Sequence, residues 1–367
     1  MIEVTPVPSM RDYIHQAPAA LREAIRHLHH DTARIAAAIP FEVRRIDIVG
    51  SGTSLHAGIA VREAFEHALG VEARLATPNE YCDGPLDRVG AGTLVIGVSQ
   101  TGRSTGTNRA MRLARRRGAL AILVTGSPAA VGAQNADAVL DIRCGDEHVG
   151  ARTKGYVATL FALEHLRLAL SGRTEDASTG LPDTLESVIA RADEALPAIA
   201  DTFQDASAIW LVSYANGMAT AREAALKLIE TVRIPVLAYD VEEYMHGPYH
   251  CLEADTRLVF IAPPGPGFER IKALARFVAP ISGHTLAIAG EPELRALPAG
   301  HRFEHPADLP ASYLPIVQIP ILQLLANELT IRRGREPGHS RYPEFHTVLA
   351  SKEPPPDAPA ISTKGKR

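Results

Sequence analysis

The chain predicts an α/β fold of two doubly wound parallel sheets, and three observations predict it. Short apolar runs alternate with longer helical patterns along most of the 367 residues. Two of the early runs open straight into a loop of glycine and hydroxyl residues that leads into a helix. The alternation then repeats in a second half of like order and length, which an internal duplication explains. Continuous apolar strands separated by helices mean sheets covered on both faces.

Taken in order, residues 10–38 read as a helix, with apolar positions at Tyr13, Ile14, Leu21, Ile25, Leu28 and Ile35. Strands are predicted at 46–50, 71–77, 93–99, 120–126 and 138–143, with a long helix closing this half near Gly172. Residues 173–182 are polar and contain Gly and Pro, as a linker does. The second half reads as a helix at 183–204, a strand at 208–214, a helix at 217–232, and strands at 235–240, 257–263 and 284–290. A last helix at 315–334 precedes a Pro-rich tail whose end, PPPDAPAISTKGKR, reads as disordered. The expected units are therefore 1–38, 39–172, 183–334 and a tail at 335–367.

The two loops carry the first chemical signal. RRIDIVGSGTSLHAG and TLVIGVSQTGRSTG each place unpaired N–H groups of a helix's first turn beside Ser and Thr hydroxyls, which suits an anion such as a phosphate. The same hydroxyls also fit ordinary helix N-caps. A dinucleotide cofactor is not expected: the first loop has Leu55 where the third glycine of the fingerprint belongs, and no acidic residue closes the second strand. No Walker-type phosphate loop is present.

Composition narrows the class further. A 46% hydrophobic, 22% charged chain of net charge −4 gives no reason to expect nucleic acid or an acidic membrane as a partner. Cys82, Cys144 and Cys251 lack metal or redox spacing, and their odd number argues against a disulfide framework, so a cytoplasmic setting is expected. There is no apolar signal core at the N-terminus, and no run reads as a membrane span.

GSGTSLHAG, VSQTGRST and ARTKGY, in this order and spacing, resemble the sugar isomerase (SIS) domain, and the repeat implies a tandem SIS protein. MRDYIHQAPAALREAI and REAALKLIETVRIPVLAYDVEEYMHGP are similar to the isomerase half of the glucosamine-6-phosphate synthases, so the likeness covers about residues 10–350. Residue 2 is Ile, and the chain starts almost at that half, so release of ammonia from glutamine is not expected. The resemblance implies work at C1 or C2 of an amino- or amine-linked sugar 6-phosphate, as in deaminases and deglycases. Aldose–ketose isomerisation and non-catalytic phosphosugar binding are the alternatives.

It also implies roles for individual residues. Gly52, Thr53, Ser54, Ser99, Gln100, Thr101 and Ser104 match phosphate-binding positions, and Glu147 and Lys154 match a segment lining the sugar pocket. Glu230 matches the proton-moving group and Lys227 its partner; by spacing alone, Glu223, Lys227 and Glu230 share a helical face and equally fit a solvated ion pair. His246 matches a ring-opening histidine delivered by a neighbouring subunit, which implies a homodimer with shared sites. Lys352 is the counterpart of a Schiff-base lysine, in a tail where Tyr342 and His346 are further candidates. Arg103 and Arg152 depart from the family pattern, which has Glu and Ser there. No cofactor and no metal are expected: Gly247 and Pro248 interrupt any helix that would pair His246 with His250.

Overall fold

The computed structural model describes residues 8–173 and 178–354; the tail end expected to be disordered lies, from 355 on, outside the described residues. The chain opens with α1 (Met10–Ala37), started by a capping box in which Ser9 and Asp12 satisfy each other's backbone N–H. The first half then runs β1 (Arg45–Val49), α2 (Thr53–Leu69), β2 (Glu72–Ala76), α3 (Pro78–Asp83), β3 (Thr93–Val98), α4 (Thr105–Arg116), β4 (Leu120–Thr125), β5 (Ala138–Asp141) and α5 (Lys154–Leu170). The second half runs α6 (Leu181–Phe203), β6 (Ile209–Ser213), α7 (Gly217–Thr231), β7 (Val236–Asp240), α8 (Val241–Tyr244), β8 (Arg257–Ala262), α9 (Phe268–Val278), β9 (Thr285–Ala289), α10 (Glu291–Ala296), β10 (His301–Glu304) and α11 (Leu314–Arg332). One turn, α12 (Phe345–Val348), sits in the tail.

Both sheets are five-stranded and parallel. The first is ordered β2-β1-β3-β4-β5 and the second β7-β6-β8-β9-β10, the same winding used twice. β10 has no counterpart in the sequence reading, because this short edge strand buries only Phe303 and so presents no apolar run. In each sheet the winding reverses between the first and third strands. Loops leaving the carboxyl ends there diverge and open a crevice.

The two halves are fused by helices rather than by sheet pairing. The largest buried cluster takes in the inner faces of both sheets and the helices α1, α2, α5, α6, α7 and α11. Within it α2 of the first half packs on α7 of the second. The segment 311–332 is apolar on every side, which corrects the reading that no stretch reaches the composition of a membrane span. Its mean hydropathy is 1.4, and 89% of that stretch is buried inside the fold, as a core helix must be.

Candidate active site

β1 and β3 pair with Val49 opposite Gly97, so the loops that follow them leave the sheet side by side. The first turns at Gly52, whose φ of +55° and ψ of −130° suit glycine, and enters α2 at Thr53. The second turns at Gly102 and enters α4 through its N-cap Ser104, whose hydroxyl accepts from the Thr107 N–H at 3.4 Å. The Ser104 N–H in turn donates to Ser99 Oγ at 3.4 Å. Between the loops lies a cleft of about 260 Å³. Gly52, Thr53, Ser54, Ser99, Gln100, Thr101 and Ser104 all line it. Arg152, Glu230 and Lys352 complete its walls.

Glu230 reaches the cleft because α7 lies against α2, and Lys227 sits buried behind it. The Lys227 ammonium is fully buried, 2.6 Å from Glu230 Oε2 and 3.4 Å from Glu223 Oε1, and it donates to Thr53 Oγ1 at 3.3 Å. Burial alone would lower its pKa, but the two carboxylates outweigh that, and the net displacement is upward. Glu223 accepts from Thr53 Oγ1 at 3.1 Å and pairs with His56 Nδ1 at 2.8 Å, so α7 is tied to the first loop by a closed polar network. Glu230 is at the edge of this network, with 35% of its side chain open to solvent. Enclosure by the cleft walls raises its pKa above the usual carboxylate range, and the neighbouring Lys227 only partly offsets this.

Glu147 and Lys154 do not line this cleft. Glu147 accepts from the Thr153 N–H at 2.6 Å, the Thr153 hydroxyl at 2.8 Å, the Gly155 N–H at 3.1 Å and Gln100 Nε2 at 3.1 Å. Its oxygens are taken up by the first turn of α5, where a carboxylate is favoured. Gly155 is needed there, since any Cβ would overlap the Gln100 amide. Lys154 points to α1: it donates to Gln16 Oε1 at 2.9 Å and lies 4.8 Å over the Tyr13 ring, and burial lowers its pKa. Neither residue lines the cleft, because α5 and α1 satisfy them first. Arg152, one residue ahead of this turn, does line it, and its guanidinium makes no hydrogen bond or ion pair with any described residue.

The tail crosses the mouth of the cleft. Lys352 bridges Ser104 in antiparallel fashion; Glu353 N donates to Arg103 O at 2.7 Å, and Thr105 N donates to Ser351 O at 3.2 Å. This brings Lys352 beside the phosphate-type loops, where burial and then the nearby Arg152 and Arg103 cations lower its pKa. Arg103 itself clasps Glu353 O at 2.7 Å, so its charge serves the tail. His346 bonds Ser351 Oγ at 2.7 Å and lines a second cavity of about 650 Å³ on the far side of the tail, while Tyr342 is exposed.

His246 stands apart from these residues. It is exposed in the turn after α8, with Nδ1 2.7 Å from Glu242 O. A carbonyl can only accept, so Nδ1 donates to it. His250 stacks on Tyr249, and no group of three or more potential metal ligands occurs among the described residues. The sequence reading missed His56, which its spacing from Thr53 on the same face of α2 could have flagged.

The model of the SIS domain matches residues 41–169. The chain carries a SIS domain. One winding used in both sheets fits a tandem SIS fold. The SIS protein is 28% identical over 339 residues to a glutamine–fructose-6-phosphate aminotransferase (isomerizing) of Gloeobacter violaceus, covering 88% of this chain and 55% of the relative. It is 31% identical over 332 residues to the enzyme of that name from Methanothermobacter thermautotrophicus, covering 88% and 54%. The chain thus spans about half the length of the curated relatives it matches. In three dimensions it resembles the C-terminal domain of glucosamine-fructose-6-phosphate aminotransferase from Francisella tularensis, with a TM-score of 0.80, 20% identity, and coverage of 89% and 96%. It is therefore a phosphosugar isomerase-like SIS protein, related to the isomerase part of those aminotransferases.

Proposed function

We propose that this SIS protein is an enzyme that moves a proton between C1 and C2 of an amino- or amine-linked sugar 6-phosphate and releases ammonia or an amine. The observation that carries the reading is the cleft itself: a carboxyl of raised pKa faces two helix N-termini rich in hydroxyls. The hydroxyls of Ser54, Ser99, Thr101 and Ser104, with Gly52, Thr53 and Gln100 shaping the loops, hold the phosphate; Arg152 adds a positive charge to the same cleft. Glu230 takes a proton from one carbon and returns it to the other through an enolamine. Water then adds to the resulting imine carbon and the C–N bond breaks, leaving the free amine with a ketose phosphate where the nitrogen sat on C2, or with an aldose phosphate where it sat on C1. Lys227 keeps the carboxylate ionised between transfers and stabilises the developing oxyanion. Lys352, its pKa lowered, is the amine able to attack a C2 carbonyl.

His246 does not line the cleft of its own chain, and its exposure suits a site on a second copy of the chain. We read the working unit as a homodimer in which each His246 opens the sugar ring in the other's cleft. Purified protein with glucosamine 6-phosphate or a fructosamine 6-phosphate, in an assay reading free amine together with fructose 6-phosphate from the first or glucose 6-phosphate from the second, tests the chemistry. Ammonia or amine release supports the reading. Interconversion of aldose and ketose phosphates without release makes the protein a simple isomerase, and no turnover removes the enzyme. Inactive His246→Ala and Glu230→Gln subunits, unfolded and refolded together, are expected to regain about a quarter of wild-type activity, because half the pairs are mixed and each mixed pair has one intact site. No regain would show that each subunit supplies its own histidine.

A further inference from the structure

The segment that carries Lys352 is held on α4 mostly by backbone groups: Ser351 O on Thr105 N, Ala350 O on Thr105 Oγ1, and Glu353 N and O on Arg103. Backbone pairing of this kind does not fix register, and a slip of one residue would turn every side chain to the opposite face. One side chain in the segment does fix it. Glu353 places Oε2 2.8 Å from Asn108 Nδ2 and Oε1 3.1 Å from Arg112 Nη1, both on α4. Asn108 is fully buried, and its amide also reaches Gly102 O at 3.4 Å, so the same group touches the loop that turns into the cleft.

We propose that Glu353 is a positioning residue: its carboxylate, seated between Asn108 and Arg112, sets the register of the tail so that Lys352 faces the cleft. Neighbouring residues of an extended segment point to opposite sides. Glu353 directed onto α4 therefore directs Lys352 the other way, toward Ser104 and the cleft. A slip by one residue would bring Lys352 against the Arg112 guanidinium, which repels it, so the pairing also disfavours the wrong register. In this register Lys352 borders both the cleft and the larger cavity. The assignment of Glu353 deepens the reading given under Proposed function and rests on it for the role of Lys352.

The test compares wild type, Glu353→Ala and the charge-swapped pair Arg112→Glu with Glu353→Arg. Two readouts are followed: the rate at which an acetylating reagent labels Lys352, read by mass spectrometry, and the kinetics on whichever sugar phosphate the protein turns over. Glu353→Ala is expected to label Lys352 about tenfold faster, because the tail opens more often. Its kcat is expected to fall about thirtyfold with KM changed less than about threefold, since every residue lining the phosphate loops keeps its own side chain. The charge-swapped pair is expected to recover to within about threefold of wild type. Lys352 labelling unchanged in Glu353→Ala overturns the proposal, and so does a loss of kcat that tracks a fall in melting temperature and is not recovered by the swap. Calorimetry of wild type with fructose 6-phosphate separates the two readings. No binding there would remove the phosphosugar assignment, while the labelling still decides whether Glu353 sets Lys352.

Discussion

The two halves of this protein wind their sheets identically, yet their crevices have opposite fates. In the first, the chain leaves β1 and β3 through Gly, Ser and Thr, and the space between the loops stays open as the cleft. In the second, the corresponding loops after β6 and β8 read Tyr214-Ala215-Asn216 and Pro263-Pro264-Gly265-Pro266-Gly267. Tyr214 is only 8% exposed, its hydroxyl donates to Pro263 O, and a Cβ on Gly267 would stand 2.5 Å from its ring. Ser213 donates to Ile261 O at 2.8 Å and Asn216 to Ala311 O at 2.7 Å, so the polar groups there are satisfied within the fold. The difference lies in side chains, not in topology: one copy leaves hydrogen-bond donors facing solvent and the other closes over them. The second half contributes to the cleft by the flank of α7 rather than by its own crevice.

That contrast can be broken or sharpened by substitution. The largest effect is expected from Glu230→Gln, which leaves the loops intact but removes the proton-moving group. Turnover should fall by about a thousandfold or more, while fructose 6-phosphate still binds in calorimetry. Retained turnover would take Glu230 out of the mechanism. Next comes Ser99→Ala with Ser104→Ala. Two hydrogen bonds to a phosphate lost together should weaken fructose 6-phosphate binding by about a hundredfold.

A smaller effect is expected from Lys227→Met, read in the pH profile. The Lys227 charge holds the Glu230 pKa down against burial, so its removal should move the acidic limb of kcat/KM to higher pH by about one unit. The same lysine has a stability signature. Its folded pKa is raised, so its contribution is present up to its ordinary pKa of 10.5 and is lost as pH climbs through the folded value. Alkaline melts of wild type should therefore show a loss of stability that Lys227→Met lacks. The smallest effect is Tyr214→Phe in the second crevice. One buried hydrogen bond lost should lower the melting temperature by about 2 °C and leave phosphosugar binding unchanged. Weaker binding in that variant would show that the two crevices are not independent.

Much of the architecture was legible because it rests on local signals. Strands such as TLVIGV are buried from end to end and therefore apolar throughout, so periodicity finds them. β10 escaped because an edge strand with one buried residue has no such signal. The cleft-lining loop residues were legible for a related reason: a strand that turns through glycine into a helix presents donors whatever surrounds it. Glu147 shows the limit. The family resemblance implied a place in the sugar pocket, and the structure shows the first turn of α5 holding both of its oxygens. A carboxylate goes where unpaired N–H groups are, and one-dimensional spacing does not say which are nearest.

By itself, then, the sequence determined the two parallel sheets, their repetition, and two helix N-termini lined with hydroxyls, since each depends on residues within a turn or two of one another. Only the tertiary structure decided what faces those termini. Lys227 meets Thr53 across 174 residues, and brings Glu230 with it, because α2 and α7 bury a common apolar surface. Lys352 meets Ser104 because a distant tail completes unpaired backbone groups at the start of α4. Burial and backbone pairing gain free energy from any complementary surface, however far along the chain it comes, so the partners of the cleft are a property of the packed whole.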